Sequence, residues 1–565
     1  MQKNIDLQQM FLEKKYSEII FIIDHKILDK QKNSAIMNLL GLCRILKGNK
    51  TKDDFKLAIE DFKLAYLKER NTKNSLEAFI NFCNASVNLY DFENTSDNHQ
   101  IAVEYFKEAL NFLDNNGVYY SKNVTVILKI IRIHKRLVDM KKVKYYLGEL
   151  IKQNNNRPLT ICSYMYNNCF FSDWTQEKFL EYGNMLNKIL PVYDEEKLVP
   201  ISQFTKDKKI KIGFFSADIK SSHSVTYFLK TIIDHYDKNR FEIYLYFNHK
   251  KGREDQTTKY FEDLVEKFEN ISALDDEGAI NLIRKDKIDI FIDLMGVTSE
   301  SRLALIKNRV SPVQMSWCGY CNTTGVDEMD YILSDQNLIY NSEKHLYKEK
   351  IIFLPQIWNC HSGLNIERSF NPSPFIKNKY ITLGSFNNFS KINDEVVLTW
   401  SKILKSIKNT KLILKPSLTR EIDFLADKFR QQNVLGSIEF VSSKKDFKDH
   451  MNLYKEIDIA LDTFPYNGVT TSFEAIWMNV PVLTMKGYNF NSRCGESINK
   501  SLGLDYLIAQ NEEDYVSKLN ELDKNKDKLL NIRKLLFENS ISSPLFDTKS
   551  FSRDFFNALE GTVNK

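Results

Sequence analysis

Cysteine is the first of several features that are sparse in this sequence. Eight cysteines are spread over 565 residues, too few and too scattered for the disulfide framework of a secreted domain. A reducing compartment is therefore expected, and the cytoplasm is the expected location. Proline and glycine are also scarce, at 11 and 19 residues, which we interpret as base-composition bias rather than as a functional signal.

Long apolar runs and a strong net charge are missing as well. No apolar stretch approaches the roughly 20 residues of a membrane-spanning helix, and the first twenty or so residues lack the apolar core of a secretory signal. The net charge of +5 is small for this length, so it gives no reason to expect a nucleic acid or a membrane surface as partner. A hydrophobic content of 43% and a charged content of 27% are typical of a soluble globular protein.

Sequence motifs for some common ligands are absent. There is no Walker A glycine loop and no G-x-G-x-x-G segment, so neither a kinase-type site nor a dinucleotide site is indicated. No group of His, Cys and acidic residues has the spacing of metal ligands. We therefore expect an activity that needs neither a cofactor nor a metal.

The first 200 residues show apolar side chains at helical spacing, with hardly a glycine or proline. Segments 53–69 and 98–116 share an A-x-x-x-[FY] rhythm, and they lie about 44 residues apart, against about 34 for a tetratricopeptide repeat. We predict a degenerate helical array over 1–200, with an ordinary helical bundle as the alternative. Stacked helix pairs would form a concave surface that suits an extended partner.

From residue 205 onward, short apolar strands alternate with helical patterns. The predicted strands are 209–218, 241–248, 288–296, 380–388, 410–416, 437–442, 457–464 and 481–487. Apolar strands between helices predict doubly covered parallel sheets, and this part of the chain is too long for one such sheet. We predict two α/β lobes that face each other, over 205–372 and 373–548, followed by a C-terminal helix over 549–565.

Polar side chains follow several of these strands, where ligands bind in parallel α/β folds. His223 precedes a helix in the first lobe, and Lys391 enters a helix in the second. Thr470 and Thr471 are predicted to cap a further helix, which carries Glu474 one turn in. Hydroxyl and free N–H groups at a helix N-terminus bind anions, and a lysine supplies a point charge. The set suits a diphosphate, with a carboxylate for a pair of sugar hydroxyls.

Four segments of the α/β region carry a family resemblance. They read IGFFSADIKSSHSVTYFL, SPVQMSWCGYCNTTGVDEMDYILSD, GSFNNFSKI and DIALDTFPYNGVTTSFEAIWMNVPVLTMKGYNFNSRCGESINKSLGL. In order and spacing they resemble the bacterial O-linked N-acetylglucosamine transferases and the SPINDLY proteins, over residues 205 to about 540. The resemblance implies a GT-B fold, UDP-N-acetylglucosamine as donor, and inverting, metal-independent transfer to Ser or Thr hydroxyls of an acceptor protein.

The resemblance also implies roles for residues at the donor phosphates and sugar. Lys391 matches the lysine that contacts the donor diphosphate and stabilises the leaving group, and Asn388 matches an Asn or Gln near the same phosphate. Thr470 and Thr471 match the threonines that hold the phosphates. Glu474 matches the acidic residue that binds the ribose hydroxyls.

Further roles concern the nucleobase and the acceptor. His450 matches the histidine that stacks on the nucleobase. His223 matches an active-site histidine that has been considered as the general base, with a phosphate oxygen or a water chain as the alternative proton acceptor. Gln314 is expected to bind the donor and, with Tyr320, to shape the same cleft. Asp462 is expected to be structural.

The W-C-G-Y-C segment at 317–321 differs by one residue from the active site of a thiol–disulfide oxidoreductase. A redox C-x-x-C needs its first thiol exposed at the start of a helix that follows a strand. Members of the family that the chain resembles typically carry W-L-G-Y-P at this position. We therefore expect Cys318 and Cys321 to be an incidental pair in a loop near the donor site.

Alternative functions stay open at this point. The same fold can use another donor or acceptor, such as GDP-fucose, or UDP-glucose with Asn as acceptor. A helical-repeat scaffold with an inactive transferase domain is a third hypothesis, and the intact Lys391, Thr470, Thr471 and Glu474 argue against it. The expected partner is an acceptor protein bound through the helical repeats, and a flagellin or another surface protein is a candidate.

Overall fold

The computed structural model describes residues 6–563, apart from 93–95, 117, 154–156, 194–207, 222, 250–253, 369, 417–420 and 442–445. The chain divides into two compact units. They are Met1–Asn155 with Leu418–Phe424, and Asn156–Ser417 with Leu425–Lys565. Among the described residues, no helix combines the length and the apolar character that a membrane crossing requires.

The first unit contains most of the predicted helical region. Its helices are α1 Leu7–Leu12, α2 Tyr16–His25, α3 Ser34–Leu46, α4 Lys52–Lys68, α5 Lys73–Asp91, α6 Ser96–Asn116, α7 Val118–Ser121, α8 Val124–Arg136 and α9 Met140–Lys152. Thr51 and Thr72 begin α4 and α5 with reciprocal capping boxes, which satisfy N–H groups that lack a helical partner. Buried aromatic rings at Tyr66, Phe79 and Phe112 pack these helices together.

Two further helices, α10 Pro158–Asn168 and α11 Gln176–Ile189, belong to the second unit. A Cβ added at Gly183 of α11 would lie 2.8 Å from the Gly325 Cα atom, so only paired glycines allow this close approach. The Gln176 amide also donates to Asn322 Oδ1 at 2.7 Å. The predicted helical region of 1–200 therefore extends into both units, because its last two helices pack on the α/β part.

A seven-stranded parallel sheet forms the first lobe, with the strand order β3-β2-β1-β4-β5-β6-β7. Its strands are β1 Ile210–Ser216, β2 Phe241–Phe247, β3 Lys267–Asn270, β4 Ile290–Asp293, β5 Val313–Ser316, β6 Tyr331–Ser334 and β7 Lys350–Phe353. Its helices are α12 Ser224–Ile233, α13 Gln256–Glu262, α14 Asp276–Asp286 and α15 Leu303–Lys307. The central strands are buried on both faces, as their continuous apolar runs predict.

A six-stranded parallel sheet forms the second lobe, with the order β10-β9-β8-β11-β12-β13. Its strands are β8 Thr382–Ser385, β9 Lys411–Leu414, β10 Ile438–Phe440, β11 Ile459–Leu461, β12 Val482–Met485 and β13 Ile508–Ala509. The helices that follow β7 are α16 Phe375–Asn378, α17 Asp394–Ser406, α18 Ile422–Gln431, α19 Phe447–Asn452, α20 Thr470–Trp477, α21 Phe490–Ser501, α22 Glu512–Lys524, α23 Lys526–Asn539 and α24 Thr548–Val563. The strand order reverses between β8 and β11, which makes their carboxyl ends the place where a ligand binds.

Several contacts hold the two lobes together. The Arg493 guanidinium on α21 donates to both Glu343 carboxylate oxygens of the first lobe, at 2.6 and 2.7 Å. The C-terminal helix α24 packs on α12 of the first lobe, where the Phe556 ring lies 4.8 Å from the Phe241 ring. The two facing parallel α/β lobes confirm the predicted fold class.

Candidate functional site

Lys391 lies in the connection between β8 and α17, at the reversal point of the second sheet. Its ammonium group donates to the Asn467 carbonyl oxygen at 2.7 Å and lies 4.2 Å from the centroid of the Tyr466 ring. Burial lowers the pKa of Lys391, although the nearby Asp462 carboxyl opposes the shift. The chain therefore holds a desolvated cation at the carboxyl end of a central strand.

The α20 N-terminus follows β11 and lies beside Lys391. Thr470 and Thr471 are the first two residues of α20, and the preceding Val469 makes no side-chain capping bond. Val469 has a φ of +38°, which is strained for a β-branched residue. The threonines therefore do not cap the helix as predicted, and the Thr471 N–H donates to the Gly468 carbonyl oxygen at 3.2 Å. The positive end of the α20 dipole lies at the reversal point.

A buried carboxylate holds the turn before α20. Asp462 Oδ1 accepts hydrogen bonds from the N–H groups of Gly468 at 2.7 Å and Thr463 at 2.9 Å. Its Oδ2 accepts from the Thr484 hydroxyl at 2.7 Å. Burial raises the pKa of Asp462 to about 6, against the lowering effect of these hydrogen bonds and of Lys391. The expected structural role of Asp462 is therefore that of an anchor for the turn between β11 and α20.

Asn387 is a site residue that the sequence analysis missed. Its Oδ1 accepts a hydrogen bond from the Thr471 hydroxyl at 2.8 Å, and its Nδ2 donates to Ser385 Oγ at 3.2 Å. Asn388, which was predicted instead, is exposed and accepts a bond from the Ser390 N–H at 2.9 Å. The two adjacent asparagines of the FNNFSK segment thus have different contacts, which sequence spacing alone does not separate.

A second group of polar side chains lies one turn further along α20. His450 Nε2 lies 3.7 Å from Glu474 Oε2, and the Tyr454 hydroxyl donates to the same oxygen at 3.1 Å. The rings of His450 and Phe386 lie 6.0 Å apart. His450 Nδ1 is buried and has no hydrogen-bond partner among the described residues. The structure therefore brings His450 and Glu474 together, as their predicted roles at one nucleoside require.

His223 lies in the first lobe, directly before α12. Its Nδ1 accepts a hydrogen bond from the Val225 N–H at 3.4 Å, and its Nε2 lies 3.4 Å from Asp218 Oδ1. Burial lowers the pKa of His223, whereas the Asp218 carboxylate raises it. Both ring nitrogens are thus engaged, and the nitrogen that faces Asp218 carries the proton of the neutral ring.

Tyr166 on α10 lies close to the Lys391 side of this site. Its ring is 6.3 Å from the Tyr466 ring, which lies against the Lys391 ammonium. Burial raises the pKa of the Tyr166 phenol to about 12, with a hydrogen bond to Tyr466 opposing the shift. A residue of the predicted helical-repeat region therefore packs against the ring beside Lys391.

Gln314 occupies a different place from the predicted one. Its side chain is fully buried on β5. The amide nitrogen donates to the carbonyl oxygens of Ile306 at 2.9 Å and Glu328 at 2.8 Å, and the amide oxygen accepts from the Val310 N–H at 2.9 Å. These bonds leave no exposed polar atom for a donor, so Gln314 has a structural role in the first lobe.

The W-C-G-Y-C segment forms a loop after β5, and no helix begins at its cysteines. Burial raises the pKa of the Cys318 thiol well above its usual range, which disfavours the thiolate that a redox site needs. A Cβ added at Gly319 would overlap the Leu294 carbonyl oxygen. Close packing against β4 therefore explains the glycine of this motif without any redox function.

Metal-binding residues are not grouped in the described part of the chain. No cluster of three or more His, Cys, Asp or Glu side chains among the described residues could hold a metal ion. The positive charge of the described site comes from Lys391 and from the N-terminus of α20.

Comparison with known proteins places this site within a family. The sequence profile described as "Glycosyl transferase family 41" matches residues 182–364 and 375–555. That region includes Lys391, His450 and Glu474. Since the match covers more than half of the chain, it identifies the family to which both lobes are related.

Several plant proteins are similar to this chain. A protein from Solanum lycopersicum named "Probable UDP-N-acetylglucosamine--peptide N-acetylglucosaminyltransferase SPINDLY" is 32% identical over 404 residues, which are 68% of this chain and 42% of the relative. A protein of the same name from Hordeum vulgare is 33% identical over 365 residues, or 62% and 38% of the two chains. A relative named SEC from Arabidopsis thaliana is 26% identical over 382 residues, or 65% and 39%. The chain thus spans less than half the length of these relatives.

One solved structure matches nearly the whole chain. A mutant O-GlcNAc transferase from Thermobaculum terrenum superposes with a TM-score of 0.76 over 91% of this chain and 95% of its own, at 22% sequence identity. This likeness shows that the two proteins share a fold. The helical region followed by two facing parallel α/β lobes is therefore the GT-B arrangement that the sequence resemblance implied.

Proposed function

The chain is a glycosyltransferase of family 41, and from this membership we propose that it transfers N-acetylglucosamine from UDP-N-acetylglucosamine to Ser or Thr hydroxyls of a protein. The names of its relatives support this donor and a peptide acceptor. The observation that carries the proposal is the pairing of the Lys391 ammonium with the α20 N-terminus at the reversal point of the second sheet.

The reaction we propose inverts the anomeric carbon. The acceptor hydroxyl oxygen attacks this carbon while its bond to the β-phosphate oxygen breaks, and UDP leaves with the electron pair. Negative charge grows on the β-phosphate in the transition state. Lys391 and the N–H group of Thr470, at the N-terminus of α20, are fixed before the reaction, so they stabilise this charge without reorganising.

The nucleoside is proposed to bind beside α20, at His450 and Glu474. The His450 ring would stack on the base, and the Glu474 carboxylate would accept hydrogen bonds from the ribose hydroxyls. The 3.7 Å separation of the two side chains supports binding to one compact nucleoside. The Tyr454 hydroxyl, at 3.1 Å from Glu474, holds the carboxylate in place.

The acceptor hydroxyl is proposed to enter from the first lobe, where His223 and Asp218 lie. In the neutral ring, Nδ1 accepts from Val225 and Nε2 faces Asp218, so His223 must turn before it can accept a proton. We therefore assign His223 as an active-site residue that orients the acceptor. A phosphate oxygen of the donor is the proposed proton acceptor.

No metal is required in this proposal, because Lys391 and the helix dipole supply the charge that a divalent cation would otherwise provide. The helical unit from α1 to α9 is proposed to bind the acceptor protein, as expected for a concave array of helix pairs. The cytoplasm, where nucleotide sugars are made, is the proposed location.

The first experiment measures nucleotide binding and donor hydrolysis by the purified protein in EDTA. Thermal stabilisation by UDP but not by GDP, together with slow turnover of UDP-N-acetylglucosamine, is the expected result. A preference for GDP would replace the donor with a GDP-sugar such as GDP-fucose. If no nucleotide stabilises the protein, the transferase assignment of this chain fails and the helical unit becomes its functional part.

A further inference from the structure

The Lys391 side chain ends in a set of aromatic rings from two distant parts of the chain. Its ammonium lies 4.2 Å from the Tyr466 ring centroid. The Tyr466 ring lies 5.4 Å from Phe170, at an interplanar angle of 35°, and 6.3 Å from Tyr166, at 85°. We define Tyr166, Phe170 and Tyr466 as the aromatic support of Lys391.

We propose that Tyr466 is a positioning residue for Lys391 and that Tyr166 and Phe170 hold the Tyr466 ring in place. The inference rests on the proposed role of Lys391 at the donor diphosphate. A lysine side chain has four rotatable bonds and loses much rotamer freedom when it is fixed. The face of an aromatic ring attracts the ammonium and restricts where it can lie.

The Lys391 ammonium makes two contacts of different kinds, a hydrogen bond and a contact with the face of a ring. The Asn467 carbonyl oxygen, at 2.7 Å, accepts one of the three ammonium hydrogens. The Tyr466 ring face lies against the same ammonium and shields it from water. The remaining N–H donors are left for an anion, so the support fixes the lysine without occupying every donor that it has.

The aromatic support of Lys391 is held to the second lobe by one side chain that bonds to both of its segments. The Asn393 side-chain amide, at the start of α17, donates to the Phe170 carbonyl oxygen at 2.9 Å and to the Phe464 carbonyl oxygen at 2.8 Å. One side chain thus ties the segment after α10 to the segment that carries Tyr466. Because Phe170 is only 4% exposed, its ring has little freedom to move away.

Tyr166 and Phe170 lie outside the region that matches the family. The match begins at residue 182, whereas α10 ends at Asn168 and Phe170 follows it. Lys391 and Tyr466 lie inside the match. A segment that precedes the family match therefore completes the surroundings of Lys391. No single part of the chain provides all of them.

The test compares donor turnover by the full-length chain and its variants. Tyr466→Leu removes the ring face, and we expect kcat for UDP-N-acetylglucosamine hydrolysis to fall about 10-fold, a loss between those of exposed and desolvated cation–π contacts. The donor KM should change less than 3-fold, because the leaving-group charge is met mainly in the transition state. Tyr466→Phe keeps the ring and should retain kcat within about 2-fold.

Phe170→Leu tests the support without touching Lys391. We expect a smaller fall in kcat, about 3-fold. The double variant Tyr466→Leu, Phe170→Leu should lose no more kcat than Tyr466→Leu alone, because both changes act through the Tyr466 ring. Tyr164→Leu is the matched control. Tyr164 lies on the same helix, but its ring contacts Trp174 at 5.3 Å and Tyr182 at 5.1 Å.

Thermal unfolding and UDP affinity of each variant separate folding from positioning. A Tyr466→Leu variant with wild-type kcat, or a Tyr164→Leu variant with an equal loss of kcat, would overturn the inference while leaving the proposed function standing. If Tyr466→Leu does not fold, the inference is tested by Phe170→Leu. A Phe170→Leu variant with wild-type kcat would overturn the role of the segment after α10. Absence of both UDP binding and turnover in the wild-type protein would overturn the proposed function and the inference together.

Discussion

His450 Nε2 lies 3.7 Å from Glu474 Oε2, although the two residues come from different helices, α19 and α20. Tyr454 donates a hydrogen bond to the same carboxylate oxygen at 3.1 Å. The proposed nucleoside would thus meet a ring and a carboxylate at once. This pairing leads to a test that uses the nucleotide alone.

Glu474→Gln is expected to remove the preference for a ribose over a deoxyribose. The wild-type protein should bind UDP about 10-fold more tightly than 2′-deoxy-UDP, because a hydrogen bond to a charged acceptor is lost in the deoxynucleotide. The variant should bind the two with similar affinity, as measured by calorimetry. Glu513→Gln changes an exposed residue of α22 and is the control. Undiminished discrimination in Glu474→Gln would refute the ribose contact.

Lys391→Ala is expected to reduce donor turnover by about 10²–10³-fold, the range for removing one preorganised contact to a developing negative charge. The fold should stay intact, because the substitution removes a buried cation whose pKa burial already lowers. Turnover and thermal unfolding are measured together. Lys402→Ala removes an exposed lysine of α17 that pairs with Glu512, and it should leave turnover unchanged. Wild-type turnover in Lys391→Ala would exclude the leaving-group role.

Asp462 is expected to make stability depend on pH. Burial raises its pKa from 3.8 to about 6, so the folded chain binds this proton more tightly than the unfolded chain does. The free energy of unfolding should therefore fall as the pH rises from about 4 to about 6, by at most about 3 kcal/mol. Denaturant titrations of wild type and Asp462→Asn at several pH values measure the difference, since the isosteric amide does not titrate. If the free energy of unfolding changed with pH equally in the two proteins, the result would contradict the raised pKa of Asp462.

Gly319→Ala is expected to destabilise the protein on the order of 3 kcal/mol, because the new methyl group would overlap the Leu294 carbonyl oxygen. Cys321→Ala in the same loop should cost less than about 1 kcal/mol and should leave donor turnover unchanged. Chemical denaturation and the donor assay, each with and without a reducing agent, check both results. Wild-type turnover that depends on the reducing agent, with that dependence lost in Cys321→Ala, would instead indicate a redox function for the loop.

The sequence predicted the strands unevenly. The eight long apolar segments all contain a strand, because a run buried on both faces must be apolar throughout. The strands β3, β5, β6, β7 and β13 were not predicted. β3, KFEN, is half-buried along its whole length and β7, KIIF, has no buried residue, so neither is a strand buried on both faces. β13 has only two residues. Such segments become strands only through hydrogen bonds to a neighbour already in place.

The candidate site was predictable where a residue lies in the loop or helix that follows a strand. Lys391 follows β8 in this way, and Thr471 and Glu474 lie on the helix after β11. The parallel topology brings the carboxyl ends of these two strands together. Gln314 was wrongly expected at the donor, because a polar residue in a motif can serve the core instead, as its three internal hydrogen bonds show. The roles of Lys391, Thr471 and Glu474 at the donor stay predictions.

By itself, the sequence determined the alternation of helices and strands, the two parallel lobes and the family, because periodicity and strand-end motifs are local properties of the chain. Only the tertiary structure decided which side chains surround Lys391. Tyr166 and Phe170 precede it by more than 200 residues, and no local pattern links them to it. Their contact with Tyr466 exists because α10 and α11 pack on the α/β lobes, which depends on long-range packing and on hydrogen bonds such as those of Asn393 and Gln176.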